Sequence, residues 1–211
     1  MSATKTSTIE LPPLAIQTLR VPIVGDSPLI THAWSEKALR AMADKQQKKA
    51  TAGREAKDPW ADFCGSMYWL SERPEKPTEA DVEAARFGFP AIAFKAAAVT
   101  ACTSIGSITK VAARQAFHVE GEFVEINGPP PSMREDVARV GMGTADLRYR
   151  GEFSPWSAVL TVKFNANLMS AAQVVNLFQT AGFAVGVGEW RPERDGPYGR
   201  FHVAADGEQV Q

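Results

Sequence analysis

The chain has 211 residues, and its 23 basic and 24 acidic side chains leave a formal net charge of −1. Hydrophobic residues make up 45% and charged residues 22%, which excludes wholesale disorder. The neutral balance excludes a protein that holds nucleic acid by bulk positive charge, but not one with a local basic groove.

Residues 1–13 are polar at the start, without the apolar stretch of a secretion signal, and read as a mobile tail. Leu14 to Val24 is β-branched and apolar, a first strand with Pro22 near its end. Gly25-Asp26-Ser27-Pro28 is a turn. A helix is expected from Ser35 to Gln47, with Trp34, Ala38 and Met42 on one apolar face. Lys45 to Lys57 carries five cations and no apolar period, as a mobile loop or fraying helix end would. Asp58 can cap the next helix, Pro59 suits its first position, and Trp60, Phe63, Cys64, Met67 and Tyr68 form its buried stripe.

Ser71 to Pro77 is a loop, and Thr78 with Asp81 is a capping box for a short helix that Gly88-Phe89-Pro90 stops. Pro90 to Thr103 is an Ala-rich helix; Gly106 interrupts it, and a further helix runs to Arg114. Phe117 to Ile126, with glycine in its middle, reads as a hairpin, and Asn127 to Ser132 as irregular chain. Leu147 and Tyr149 alternate with Arg148 and Arg150. Leu160, Val162 and Phe164 alternate with Thr161, Lys163 and Asn165. Period two gives each strand one apolar and one cation-bearing face. Ser170 and Gln173 cap a helix to Ala181, stopped by Gly182. Phe183 to Val187 is a short strand or a lead-in, and Phe201 to Val203 a last strand. This order is α+β, with helices on one face of a sheet and the cationic strand faces on the open side. Residues 14–203 form one domain, with an inserted segment at about 45–87, and 204–211 are a tail.

The segment from Gly186 to Arg200 is the strongest functional signal. Gly186, Gly188, Gly196 and Gly199 lack a Cβ, so a phosphate or another backbone can approach closely. Arg191, Arg194 and Arg200 supply charge, while Trp190 and Tyr198 supply stacking faces, a mixture suited to single-stranded nucleic acid. It is neither a P-loop nor a dinucleotide fingerprint, and a tight hairpin whose glycines serve only turning explains the spacing equally well. Lys163, Arg148 and Arg150, on strands expected to be neighbours, are the second cationic group. Glu135-Asp136 and Glu120/Glu122 look like solvated turn residues.

No metal-ligand spacing links His32, His118 and His202 with the cysteines, and no cofactor is implied. His32 is a candidate general acid or base without a visible nucleophile. Cys64 and Cys102 read as buried reduced thiols of a cytoplasmic protein. The longest apolar stretch, Phe89 to Ala101, falls short of the about 20 residues that span a bilayer, so no membrane is expected as a partner.

The run GVGEWRPERDGPYGRF resembles the C-terminal glycine-rich loop of the RAMP superfamily, the RNA-binding proteins of CRISPR effector complexes. Gly186, Gly188, Gly196, Gly199 and Arg200 hold the motif positions, although Tyr198 follows Pro197 rather than glycine. Ser27-Pro28-Leu29 is similar to that family's first turn. Gly88 to Lys95 is similar to the lead-in to its first long helix, with Ala-Ile-Ala in place of Gly-Ser-Ser and Ala96 in place of a glycine. The resemblance implies a ferredoxin-like (RRM-like) antiparallel sheet with inserted segments. It implies single-stranded RNA (or DNA) held by the glycine loop and the Lys95 helix. It implies a non-catalytic subunit that oligomerises along its ligand, within a larger ribonucleoprotein or in a phage or mobile element. The aspartate motif of target-cleaving members is not recognisable. Two alternatives stand beside this reading: a metal-independent endoribonuclease using His32, and a phage-encoded structural protein that borrows the fold.

Overall fold

The computed structural model describes residues 13–34, 36–48, 56–106, 108–140, 144–205, 207–208 and 210. In chain order the elements begin with β1 (Ile16–Gly25), β2 (Leu29–Ile30), α1 (Glu36–Gln46), α2 (Pro59–Gly65), β3 (Tyr68–Trp69) and α3 (Glu79–Ala84). They continue with β4 (Phe87–Pro90), α4 (Ala91–Ile105), α5 (Lys110–Ala116), β5 (Phe117–Val119) and β6 (Phe123–Asn127). The last are β7 (Ser132–Val140), β8 (Thr144–Phe153), β9 (Ser157–Asn165), α6 (Ala171–Ala184) and β10 (Phe201–Val203).

The main sheet is antiparallel, in the order β10–β1–β9–β6–β4–β3, with β5 also paired to β9. Its path, β1–α4–β5/β6–β9–α6–β10, is strand–helix–strand–strand–helix–strand with the first and third strands central. That is the ferredoxin-like arrangement, and the fold is α+β. Helices α4 and α6 pack together, and rings interlock them with the sheet. Phe117 meets Phe178 at 5.8 Å and Phe94 meets Phe201 at 6.0 Å between centroids. Leu160, Val162 and Phe164 are buried beneath this layer, while Lys163 faces outward, as the alternation requires.

Local signals set several boundaries. Asp58 accepts the Ala61 N–H, Pro59 opens α2, and reciprocal capping boxes start α3 (Thr78/Asp81) and α6 (Ser170/Gln173). Gly106, at φ 72°, ends α4.

Other expectations are corrected. Phe117 to Ile126 is not a hairpin, because β5 and β6 lie end to end along β9. Phe117 faces Phe164 and Ile126 faces Ala158, so ten residues on one side span seven on the other, with the excess thrown out around Gly121. Gly88-Phe89-Pro90 does not stop a helix but lies in β4, paired with β6. Gly182 sits inside α6, because any side chain there would strike the Phe201 carbonyl of β10. Val185 to Val187 is a turn, not a strand. The Trp60–Tyr68 stripe is buried or half-buried, but helix α2 ends at Gly65 and Tyr68 belongs to β3.

The largest correction concerns β8. It pairs with β2 and β7 in a separate three-stranded sheet, so Arg148 and Arg150 do not neighbour Lys163. Its cations are not on the open side either: Arg150 is only 2% exposed, whereas Leu147 is 41% exposed. Asp136 is a buried member of β7, not a turn residue, and Glu120 pairs with Lys163. Trp34 and Met42 do not reach the core, and Trp34 is 69% exposed. The expected N-terminal tail and most of the lysine-rich loop fall on residues 1–12 and 49–55, outside the described residues, whereas in the expected C-terminal tail Glu208 contacts His202 and accepts the Ala205 N–H.

Candidate nucleic-acid interface

The glycine-rich segment leaves α6 and lies on the turn after β1. The Gly199 N–H donates to the Pro28 carbonyl (2.8 Å), the Glu189 N–H to Ile30 (3.0 Å), and the Arg200 N–H to Ser27 Oγ (2.9 Å). Val187 N–H closes the loop on the Gly199 carbonyl at 2.9 Å. Two glycines make this possible. Gly199 (φ +64°) and Gly188 (φ +80°) are left-handed, and a Cβ on either would collide with the Val187 or Ile30 carbonyl. These glycines therefore answer a requirement of the protein's own packing.

Between this loop and α4 runs a groove of about 360 Å³. Ala93, Ala96, Ala97 and Thr100 form its helical wall, Arg191 and Arg194 stand on the loop side, and His32 and Tyr68 lie at one end. Arg191 donates to Glu193 (2.7 and 3.0 Å) and to the Gly188 carbonyl (3.1 Å), which fixes its guanidinium over the loop. Arg194 is exposed in a 3-10 turn, Pro192–Arg194.

A chain of charged groups runs inward from the end of the groove. His32 Nδ1 lies 3.4 Å from Glu189 Oε1, and the other Glu189 oxygen lies 3.5 Å from Arg150 Nη2. Arg150 Nη1 donates to Asp136 (3.0 Å). Arg134 donates to the other Asp136 oxygen (2.8 Å), to Glu152 (2.7 Å) and to the Tyr198 hydroxyl (3.2 Å). The contact with His32, with Arg150 adding to it, holds the Glu189 carboxyl below the usual carboxylate range despite burial. Burial works to raise Asp136, but Arg134 and Arg150 outweigh it and hold it low. Burial pushes the Tyr68 phenol up, and nearby Glu189 adds to that.

Beyond His32 lies a second hollow, also about 360 Å³, between the end of α2 and β8. His32 borders both. Arg148, Arg150, Lys57 and Trp34 line the second. Lys57 pairs with Asp146 at 2.6 Å and also reaches the Leu147 carbonyl, while Arg148 lies 3.6 Å from Asp146.

The sequence-predicted residues thus divide into groups. Gly186, Gly188, Arg191 and Arg194 line the groove, and Arg148 and Arg150 line the second hollow. Gly196, Gly199 and Tyr198 hold the loop together, with one face of the Tyr198 ring taken by the Arg134 guanidinium at 4.5 Å. Trp190 is partly exposed, and Arg200 turns back to the Pro197 carbonyl (3.3 Å). Lys95 points away from the groove toward His118 (3.0 Å), whose strand partner is Lys163; burial lowers the Lys95 pKa. His32, Glu189, Arg134 and Tyr68 were not expected as a group. The available signal was Arg134 and Asp136 facing Arg150 and Arg148 across the β7–β8 register.

Among the described residues no group of three or more His, Cys, Asp or Glu side chains is arranged to hold a metal ion. Cys64 and Cys102 are buried free thiols, and no helix among the described residues is long and apolar enough to cross a membrane. No protein-family model matches the chain. No curated protein matches it in sequence. Among solved structures, the crystal structure of Cmr6 from Pyrococcus furiosus is similar, at 9% identity and a TM-score of 0.43, over 91% of this chain and 100% of that one.

Proposed function

We propose that this protein is a non-catalytic subunit that binds single-stranded nucleic acid, RNA above all, in the groove between α4 and the glycine loop, and that copies assemble along the strand as in CRISPR-type effector backbones. One observation carries the reading. Of the three sequence segments that resemble the RAMP superfamily, far apart in the chain, two face each other across this groove and the third holds the loop of one of them in place. Ser27 and Pro28 anchor the loop, Phe89 and Ala93 belong to the segment that opens α4, and Gly186 to Arg194 form the opposite wall. Arg194, exposed on the loop side, would meet a phosphate, with Arg191 paired to Glu193 beside it, and the apolar wall would meet sugars and bases. Purification from an expressing cell tests strand and assembly together. The expected product is a particle larger than one chain, with excess nucleic-acid absorbance removed by ribonuclease. A monomer free of nucleic acid that binds no added single strand would overturn the proposal.

A second reading, metal-independent RNA cleavage, is favoured by the His32–Glu189 contact at the end of the groove. A carboxylate on Nδ1 orients an imidazole for proton transfer at Nε2. Cleavage of labelled RNA by the wild type and not by His32→Ala is the expected result of that reading. Equal cleavage by both, or none by the wild type, removes it.

A further inference from the structure

We infer that the second hollow is a site for one nucleobase, held by the Arg150 Nε–H and covered by Trp34. Arg150 is buried in β8, and its two terminal nitrogens are engaged by Asp136 and Glu189. Its Nε is buried and has no hydrogen-bond partner. A buried N–H without an acceptor is rare in folded proteins, and the residue that bears this one lines a hollow within the size range of small-ligand pockets. At the rim the Trp34 indole is largely exposed and buries little of its surface in the free protein.

Charge selects the ligand class. A phosphate would require a surplus of cations. Here Lys57 and Arg148 are drawn to Asp146, and Asp62 adds another carboxylate to the lining. A site with buried donors, acidic acceptors and a stacking face suits a neutral planar heterocycle that carries both carbonyl or ring-nitrogen acceptors and amino donors. A nucleobase has all three. For its biological ligand the inference rests on the single-strand reading above: the groove that would hold the strand and this hollow share His32 in their linings.

The test uses the full chain and uncharged probes. Adenosine, guanosine, cytidine and uridine are titrated separately, alongside inorganic phosphate and ribose 5-phosphate. The readouts are the Arg150 Nε–H magnetic resonance signal and the Trp34 emission, isolated by comparison with Trp34→Phe. At least one nucleoside should move both signals saturably, while the two phosphates move neither. Trp34→Ala should weaken nucleoside binding at least about fivefold, the lower end expected for one stacked base. Arg150→Lys keeps the charge facing Asp136 and Glu189 but lacks the Nε donor, and should weaken binding about tenfold. If that variant does not fold, Trp34→Ala and the wild-type resonance shift still decide. No shift with any nucleoside, an equal shift with ribose 5-phosphate, or unchanged affinity in Trp34→Ala would each overturn the inference. Nucleosides carry no phosphate, so failure of the groove to bind strands leaves this result untouched. Strand binding without any nucleoside response would sink the base site alone.

Discussion

Gly199 and Gly106 share a left-handed backbone in opposite surroundings, and that contrast measures how firmly the loop is docked. At Gly106 (φ +72°) nothing lies within 4 Å of an added Cβ; at Gly199 (φ +64°) the Cβ would meet the Val187 carbonyl. The left-handed conformation costs an L-residue about 1–2 kcal/mol, and the stiffer unfolded chain of Ala offsets about 0.4–1 kcal/mol of it. Gly106→Ala should therefore lose about 1 kcal/mol. Gly199→Ala carries the same cost and also breaks the Val187–Gly199 and Gly199–Pro28 hydrogen bonds. At about 1 kcal/mol each, these bring its total to about 3 kcal/mol. Urea denaturation gives the stabilities, and amide exchange at Val187, Glu189 and Gly199 shows whether the loop lifts from β2. Equal losses in the two variants, with loop protection unchanged in Gly199→Ala, would refute the docking argument.

Three further outcomes are expected. Phe164→Ala, which empties a fully buried position opposite Phe117, should cost about 3–5 kcal/mol, and Thr161→Ala on the other face should cost far less; similar losses in thermal unfolding would contradict the β9 register. Ser170→Ala removes both the side-chain acceptor for Gln173 N–H and the capping box of α6, and should cost about 1 kcal/mol by denaturant titration; no loss would mean the cap is not formed in solution. Burial disfavours the charged form of His202, but Asp26 (2.6 Å) and Glu208 (3.1 Å) outweigh it and raise the pKa. A raised histidine pKa means that the contact stabilises fully below the ordinary value of about 6.5 and is lost as pH rises through the higher native value. A magnetic resonance titration of His202 should have its midpoint above about 6.5, and a midpoint at or below it would remove the clamp on Glu208.

Features carried by neighbouring residues were legible in the sequence. Asp58, Thr78 and Ser170 cap their helices through side-chain bonds to residues three further on, and the alternation in β9 places Leu160 and Phe164 inside without reference to the rest of the chain. Features set by distant partners were not legible. Nothing local shows that β5 and β6 share one edge of β9, because that depends on β4 taking the other side of β6. The exposure of Trp34 escaped for the same reason: an apolar period announces a face but not what covers it. At the candidate site, the loop and its arginines stood out by composition. His32, Glu189, Arg150, Asp136 and Arg134 come from four segments with no spacing to join them. The burial of Arg150 reversed the expected faces of β8 because two carboxylates, one of them on the glycine loop, make a buried guanidinium tolerable.

Salt dependence tests the central claim most directly, since a phosphate contact releases counterions and a structural arginine does not. The affinity of the wild type, Arg194→Ala and Arg200→Ala for a single-stranded RNA would be measured across a range of salt. Arg194 lines the groove and Arg200 does not. The slope of log affinity against log salt should therefore fall by about 0.7 in Arg194→Ala and stay at the wild-type value in Arg200→Ala. No wild-type binding at low salt, or a wild-type slope in Arg194→Ala, would contradict the placement of the strand in this groove.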